Sequence, residues 1–302
     1  MRTCPDCNAT TDFIMPADVR CVQWRCRNCG KIDIESTFLK PKVTWSKDKA
    51  DAALAPYREA KHKAICWGEA ADGFLATLFL HAARIPGMCP DEKIERLHEV
   101  MRSPMPPGDV VEIGTWWGKS ALVLLLLARR YGIGNVLCVD PWKDEELVQG
   151  VPSVDAASAA LSAGEAFDIF IMSLLPYANE DNETGGDFNY LRQPSLAAGA
   201  LYEEEKRHGG YLTVASEFPI TDYCGRIALL HIDGNHAYDK VKQDVELWTP
   251  LVVPGGWIVI DDYDWRHGDG PKRAGDEFLL AHPETRRHFV AGGALFVQVA
   301  ST

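Results

Sequence analysis

Residues 109–140 constrain the fold more than any other stretch of this chain, and they read DVVEIGTWWGKSALVLLLLARRYGIGNVLCVD. A short apolar run is followed by a turn with two glycines, a long apolar helical pattern and a second apolar run. Two strands joined through a helix in this way pair in parallel, with a right-handed crossover between them. The stretch therefore predicts an α/β domain built on a parallel sheet.

Two further strands are predicted at residues 226–233 and 256–262. The helical pattern between them, YDKVKQDVELWTPLV, places Val252 on its inner stripe. Residues 288–300 predict an antiparallel hairpin turned by Gly292 and Gly293. The predicted fold class is therefore α/β, a Rossmann-like doubly wound and mostly parallel sheet with a C-terminal antiparallel hairpin.

The first 29 residues contain five of the nine cysteines. Cys4 and Cys7 form one C-x2-C pair, and Cys26 and Cys29 form a second pair after 18 intervening residues. This spacing is typical of a tetrahedral structural Zn²⁺ site, with Cys21 as a less favoured alternative ligand. Since a segment of about 40 residues has too little core to fold alone, we expect the metal to stabilise a small zinc ribbon.

We expect three regions along the chain: a zinc ribbon at 1–40, a linker and helical segment at 41–107, and the α/β domain at 108–302. Within the helical segment, residues 91–103 predict a helix with one apolar face. Residues from about 143 to 210 have a less regular pattern. We interpret them as an insertion that covers the C-terminal edge of the sheet, where insertions tend to form substrate pockets.

The turn after the first strand has the composition of a cofactor site. Gly114 lets the backbone turn, and Gly118 lets the next helix begin close to a ligand, with its N–H groups available as donors. Asp140 ends the following strand, where a carboxylate can accept hydrogen bonds from a ribose diol. The spacing E-x-G-x-x-x-G differs from the G-x-G-x-x-G of dinucleotide-binding folds, which makes a NAD-dependent oxidoreductase a weaker hypothesis.

Three blocks of the sequence resemble the class I S-adenosylmethionine-dependent methyltransferases: VEIGTWWGKSALVL, CVDPW and LLHIDGNHAYDKVKQDVELWTPLVVPGGWIVIDDY. The pattern is most similar to the small-molecule O-methyltransferases related to macrocin O-methyltransferase, over residues 85–300. The resemblance implies that S-adenosylmethionine binds at the glycine turn, with Gly114 beside its methionine moiety and Glu112 shaping the loop. It also implies that Asp140 holds the ribose and that Trp142 lies near the adenine. From the residues alone, Glu112 could be only a turn residue, Asp140 a strand-end cap and Trp142 a core side chain.

Three carboxylates follow the two later strands: Asp233 ends the first, and Asp261 and Asp262 end the second. Because the carboxyl ends of neighbouring parallel strands meet at one edge of a sheet, we expect these side chains to converge. Uncompensated carboxylates would repel one another, and a divalent cation such as Mg²⁺ relieves that repulsion. In the resembled branch the corresponding acids bind such a metal, which holds substrate hydroxyls. Helix capping or a solvated turn is the alternative for Asp261 and Asp262.

Asp233 and His236 are the candidates for the general base that takes the hydroxyl proton. His236 could instead be a partner of a metal ligand at a helix start, and His231 reads as a core residue. The leading hypothesis is a Mg²⁺-dependent O-methyltransferase acting on a hydroxylated small molecule, of sugar or natural-product type. The alternatives are a metal-independent N- or O-methyltransferase and an RNA-modifying methyltransferase guided by the zinc ribbon.

Bulk properties limit the partners. The net charge of −12 argues against a large nucleic-acid footprint, although basic side chains outnumber acidic ones in the first 50 residues. No apolar run is long enough to predict a membrane span, and the N-terminus has no signal-peptide pattern. We therefore expect a cytoplasmic protein with a small-molecule substrate. The helical N-terminal region could serve a homodimer.

Overall fold

A computed structural model describes residues 73–152, 154–155, 161–178, 187–207, 212–285 and 287–300, together with four strands of the N-terminal region. These strands form an antiparallel sheet in chain order: β1 (Arg2–Thr3), β2 (Thr10–Ile14), β3 (Val22–Cys26) and β4 (Ile32–Glu35). The chain divides into two units, Met1–Glu59 and Ala60–Thr302.

The predicted zinc site falls almost wholly outside the described residues. Cys26 is the last residue of β3, where its backbone pairs with Thr11 of β2. Cys4, Cys7, Cys21 and Cys29 lie outside the described residues. The zinc ribbon therefore stays a prediction.

The second unit alternates helices and strands. Its helices are α1 (Phe74–Ala82), α2 (Asp91–Arg102), α3 (Lys119–Tyr131), α4 (Ala163–Leu174), α5 (Ser195–Arg207), α6 (Tyr238–Trp248) and α7 (Gly270–Ala281). Its strands are β5 (Asp109–Ile113), β6 (Val136–Val139), β7 (Phe188–Leu191), β8 (Leu212–Val214), β9 (Thr221–Tyr223), β10 (Ile227–Ile232), β11 (Val252–Ile260), β12 (Arg287–Ala291) and β13 (Ala294–Gln298). None of the helices in the described ranges has the length and apolar character needed to cross a membrane.

A seven-stranded sheet in the order β12-β13-β11-β10-β5-β6-β7 organises this unit. Strands β7, β6, β5, β10 and β11 are parallel neighbours, and β13 pairs antiparallel with both β11 and β12. Gly292 and Gly293 turn the last hairpin with φ values of 57° and 83°. The predicted α/β class, with a mostly parallel sheet and a C-terminal hairpin, is confirmed.

Helices cover both faces of the sheet. Successive strand residues point to opposite sides, so the apolar side chains of each central strand are buried on both faces. Val110 of β5 packs in the same core as Leu97 of α2 and Leu125 of α3. Its neighbour Val111 packs in a second core with Trp248 of α6. Burying each such side chain contributes about 1.5–3 kcal/mol to the stability of the fold. The two cores therefore hold the central strands in place, and with them the residues that follow the strand ends.

The structure differs from the sequence analysis at two elements. Strand β7 and helix α5 lie within the stretch that we interpreted as an insertion, and β7 is an edge strand of the main sheet. Its apolar pattern is interrupted by Asn189, a buried residue whose side-chain amide bonds the carbonyls of Val214 and Pro219. Val252, expected on the helix, instead begins β11, because a 3-10 turn with Pro250 ends the helical segment.

Candidate active site

The glycine turn lies where β5 meets α3 and passes close to the end of β10. Gly114 has a φ of 84°, and a Cβ there would lie 2.1 Å from the backbone oxygen of Asp233. Gly118 is the N-cap of α3 in the left-handed conformation, and a Cβ there would lie 2.8 Å from the ring of Phe170. Both positions therefore require glycine. The turn brings the predicted cofactor loop against the strand that carries the predicted catalytic acid.

Strained backbone marks the same edge of the sheet. Among the described residues, the non-glycine positions with positive φ are Trp116 (50°), Trp142 (43°) and Asp262 (52°). They follow β5, β6 and β11, all at the carboxyl ends of the parallel strands. Such conformations cost about 1–3 kcal/mol each and persist where surrounding contacts hold them, which is common at ligand sites.

Asp140 follows β6 and holds the cofactor loop through backbone hydrogen bonds. Its Oδ2 accepts from the amides of Thr115 (3.0 Å) and Trp116 (2.9 Å), and its Oδ1 accepts from the amide of Trp142 (2.7 Å). Burial raises the pKa of Asp140, while these amides act in the opposite direction. The carboxylate thus joins the loops after β5 and β6. Ribose binding by the same group stays a prediction.

Trp142, expected near the adenine, is only 2% exposed. Its indole N–H donates to the carbonyl of Trp116 at 2.8 Å, and its ring lies 4.8 Å from that of Phe170 and 5.1 Å from that of Phe167. These contacts are those of a core side chain, the alternative that we left open. Through its N–H it also supports the strained Trp116.

Glu112 and His231 form a buried pair between β5 and β10. The two residues are register partners in adjacent parallel strands, so their side chains lie on the same face. His231 Nδ1 lies 3.1 Å from Glu112 Oε1, and both side chains are fully buried. Burial would lower the pKa of His231, but its contacts with Asp261 and Glu112 raise it to about 9. Glu112 therefore lies beneath the cofactor loop, with His231 as its partner.

Asp261 is engaged by a cation of the chain itself. The ammonium group of Lys93, from α2, bonds Asp261 Oδ2 and lies 3.7 Å from Asp233 Oδ2. Burial would raise the pKa of Asp261, but the charge of Lys93 outweighs that effect and holds it below its usual range. Burial and the nearby charge of Asp261 raise the pKa of Asp233. The same two acids keep the pKa of Lys93 raised despite its burial.

A second group of side chains lies further out. One ligand atom each from Asp233, His236 and Asp262 can be chosen so that all three lie within 4.8 Å of one another. His236 Nε2 is 2.8 Å from Asp262 Oδ2, but the contact does not have the angle of a hydrogen bond, and the buried Nδ1 has no hydrogen-bond partner in the described part of the chain. An imidazole without a hydrogen-bond partner beside two carboxylates fits a divalent metal ion.

The expected metal set of Asp233, Asp261 and Asp262 is thus divided between two groups. In the ranges described, one group of possible ligands is His231, Asp233 and Asp261, and the other is Asp233, His236 and Asp262. Asp233 belongs to both groups, whereas Asp261 belongs only to the first and Asp262 only to the second. The structure brings His236 beside the acids, as expected of a residue at this site.

Sequence reasoning missed Lys93 and the loop that packs over His236. Lys93 lies four residues before Leu97 on the apolar stripe of α2. A charged residue at a core-facing position is rare, and it was the signal in the sequence that could have indicated a buried ion pair. Gln149 Oε1 accepts from the His236 amide at 2.6 Å, and Asn235 donates to the carbonyl of Val148 at 2.7 Å. Nothing in the irregular sequence around 149 predicts those bonds.

Comparison with known proteins identifies the family. A family model described as "Methyltransferase domain" matches residues 111–263, which include the glycine turn and both acid-bearing strand ends. The chain belongs to this family. It is therefore an enzyme, a methyltransferase with a Rossmann-like fold.

One curated relative is the 8-demethyl-8-(2,3-dimethoxy-alpha-L-rhamnosyl)-tetracenomycin-C 4'-O-methyltransferase of Streptomyces olivaceus. It is 24% identical over 159 residues, which cover 52% of this chain and 53% of the relative. The chain thus spans about half the length of that relative.

Solved structures that resemble the chain include the O-methyltransferase NovP, with 20% identity, a TM-score of 0.45 and coverage of 69% of this chain and 79% of NovP. The calicheamicin methyltransferase CalS11 is 14% identical, with a TM-score of 0.46 and coverage of 85% and 94%. MycE, solved with Mg, SAH and mycinamycin VI, is 15% identical, with a TM-score of 0.43 and coverage of 91% and 68%.

Proposed function

We propose that the chain transfers a methyl group from S-adenosylmethionine to a hydroxyl group of a small molecule of sugar or natural-product type. The observation that carries this proposal is the position of Asp233, whose backbone lies against the glycine turn and whose side chain forms a group with those of His236 and Asp262. A donor on the turn and an acceptor at these side chains would be neighbours. The activity of the curated relative, O-methylation of a rhamnosyl natural product, supports the acceptor class.

On the donor side, we propose that Gly114 and Gly118 admit the cofactor and that Asp140 keeps the loop in a shape that can bind it. The three amide bonds of Asp140 support this role. Oδ1 of Asp140 retains acceptor capacity for a ribose hydroxyl, because it has two lone pairs and, among the described residues, accepts only the Trp142 amide. Glu112 would support the loop from below through His231, and Trp142 through Trp116.

On the acceptor side, we propose that Asp233, His236 and Asp262 hold a divalent ion, with Mg²⁺ or Mn²⁺ as candidates because two of the ligands are carboxylates. When bound, the ion would polarise the acceptor hydroxyl, and S-adenosylmethionine would supply the methyl group. Asp233 has two oxygens, so one can contact the ion while the other receives the hydroxyl proton. His236 is the other candidate for that proton, through whichever nitrogen is not a ligand.

Trp265 supports an acceptor with a saturated ring. Its side chain is half-buried, and its ring lies 4.6 Å from that of His236. A tryptophan in that position offers a flat apolar surface beside groups that recognise hydroxyls, the combination found in many small-molecule sites. We therefore propose that Trp265 packs against the acceptor ring.

The second candidate is a metal-independent methyltransferase with the same donor. It is favoured by Lys93, whose ammonium group already lies 3.7 Å from Asp233 Oδ2 and supplies a fixed positive charge. In that case Asp233 or His236 would act as base without an ion. Activity that survives exhaustive dialysis against EDTA, and does not rise when Mg²⁺ or Mn²⁺ is added, would select this candidate.

The proposal is tested with the full chain, S-adenosylmethionine and a panel of glycosides that carry neighbouring hydroxyls, with products identified by mass spectrometry. We expect an increase of 14 Da per transfer, the mass of a methyl group replacing a hydrogen. Asp262→Asn should abolish ion-dependent transfer, whereas Asp239→Asn, at an exposed position on α6, should leave it unchanged. Failure of the wild-type chain to bind S-adenosylhomocysteine would refute the donor assignment.

We further propose that Cys4, Cys7, Cys26 and Cys29 hold structural Zn²⁺, on the strength of their spacing. Metal analysis of the purified chain should give one zinc per chain, and Cys26→Ser should lower that value. A cytoplasmic location and a homodimer also remain proposals. Sedimentation equilibrium would decide the second.

A further inference from the structure

Lys93 is a lysine in a position where lysine is rare. It lies on the inner face of α2, with only 1% of its side chain exposed. Burying an unpaired ammonium group is strongly unfavourable, so a lysine keeps such a position only where acids compensate its charge. Here the compensating acids are Asp261, which it bonds directly, and Asp233, at 3.7 Å.

The contacts of Asp261 leave it poorly placed to bind another cation. Its Oδ2 accepts from Lys93 and lies 3.6 Å from His231 Nε2. Its Oδ1 accepts from the backbone amide of Asp262 at 2.9 Å. Both oxygens are therefore engaged, and only 8% of the side chain is exposed.

Asp262 has the opposite surroundings. Its side chain is 34% exposed, and its backbone has a positive φ of 52°. Its carboxylate lies beside His236 and not beside Lys93. Asp233 lies between the two groups and belongs to both sets of possible ligands. The two adjacent acids at the end of β11 thus have different neighbours, Lys93 for Asp261 and His236 for Asp262.

We propose that Lys93 is a positioning residue that serves as the permanent counter-ion of Asp261 and thereby limits the divalent-ion ligands to Asp233, His236 and Asp262. This inference rests on the proposed metal-dependent function. Lys93 touches no reacting atom in this scheme. It orients Asp261 and keeps that acid out of the ligand set, and its charge lies 3.7 Å from Asp233 Oδ2.

The test measures Mn²⁺ binding to the full chain by calorimetry, without substrate. Asp262→Asn should weaken binding by more than about 100-fold, because it removes a ligand. Asp261→Asn should weaken it less, by about 10–100-fold, as for a group outside the ligand shell. Equal losses for the two variants would overturn the inference. The two substitutions are matched, because they remove the same charge from adjacent residues.

Lys93→Met supplies the second measurement. Removing a positive charge close to Asp233 and Asp261 should strengthen Mn²⁺ binding by about tenfold or more, since the added ion then compensates both acids. Lys93→Arg retains the charge and should restore wild-type affinity. Unchanged or weaker binding by a folded Lys93→Met chain would contradict the proposal.

A metal-free measurement covers the case in which Lys93→Met folds poorly. In EDTA, the double variant Lys93→Met with Asp261→Asn should melt at a higher temperature than Lys93→Met alone, because the unpaired buried carboxylate is gone. An equal or lower melting temperature would overturn the pairing. A wild-type chain that transfers methyl groups but binds no Mn²⁺ would overturn the ligand set and leave methyl transfer intact.

Discussion

Replacing Asp140 by Asn tests whether one carboxylate holds the cofactor loop in shape. Asp140 accepts three backbone hydrogen bonds, two at Oδ2 from Thr115 and Trp116 and one at Oδ1 from Trp142. Asparagine offers only one acceptor oxygen. In the less costly orientation that oxygen serves Thr115 and Trp116, and the side-chain NH₂ group then faces the amide of Trp142.

The expected loss follows from those bonds. A buried N–H left without its acceptor costs about 1–3 kcal/mol. The two remaining bonds lose the charge of the carboxylate, which makes them roughly half as strong. In the opposite direction, burial raises the pKa of Asp140, so ionisation carries a desolvation cost that asparagine avoids. We therefore expect the free energy of unfolding to fall by about 1–3 kcal/mol, and the affinity for S-adenosylhomocysteine to fall roughly tenfold or more.

Urea denaturation and calorimetry with S-adenosylhomocysteine measure the two effects separately. Asp239→Asn is the control, since Asp239 is exposed in the first turn of α6 and contributes at most about 0.3–1 kcal/mol through the helix dipole. Lost affinity with unchanged stability would indicate that Asp140 contacts the ligand without supporting the loop. If both quantities stay unchanged, the structural argument is refuted.

Three further predictions concern other positions. Burial raises the pKa of Asp244 to about 6 from 3.8. The stability that the protonated form contributes is present at low pH and lost as the pH rises through about 6. Asp244→Asn should therefore raise the free energy of unfolding by up to about 3 kcal/mol at pH 8 and by little at pH 4, as read by urea denaturation. Gly114→Ala should destabilise the chain more than Gly132→Ala in thermal melts, because both have positive φ but only Gly114 would meet backbone atoms; equal losses would remove the close-approach argument. Trp265→Ala should raise KM for a glycosyl acceptor roughly tenfold, equivalent to about 1.4 kcal/mol, while leaving S-adenosylhomocysteine affinity unchanged; a change in the second quantity alone would contradict it.

Much of the fold could be predicted because its central elements carry strong patterns. The path from β5 through α3 to β6 has uninterrupted apolar runs separated by glycines, and the terminal hairpin has a Gly-Gly turn. Strand β7 has neither signal. Its buried Asn189 is polar and is satisfied by carbonyls of residues far along the chain, so only the tertiary structure explains why it is buried.

The sequence predicted where the site lies on the sheet, but not which side chains contact one another there. The rule that parallel strands end at one edge correctly indicated that Asp233 would lie near Asp261 and also near Asp262. The direction of each side chain depends on the turn after the strand. The positive φ of Asp262 and the lysine contributed by a distant helix separate the two adjacent acids. Neither that φ nor the acid with which the lysine pairs can be read from local sequence.

The separation of these acids has a consequence for folding. Glu112, His231, Asp261 and Lys93 form a buried group with two acids and two basic side chains, which together need no external ion. Removing one member of such a group leaves an uncompensated buried charge, a loss of about 3–5 kcal/mol. Removing an ion from the outer group leaves Asp262 in contact with water, since its side chain is 34% exposed. A divalent ion at Asp233, His236 and Asp262 would therefore contribute to substrate binding more than to folding, because the acid that most needs a cation for burial already has Lys93.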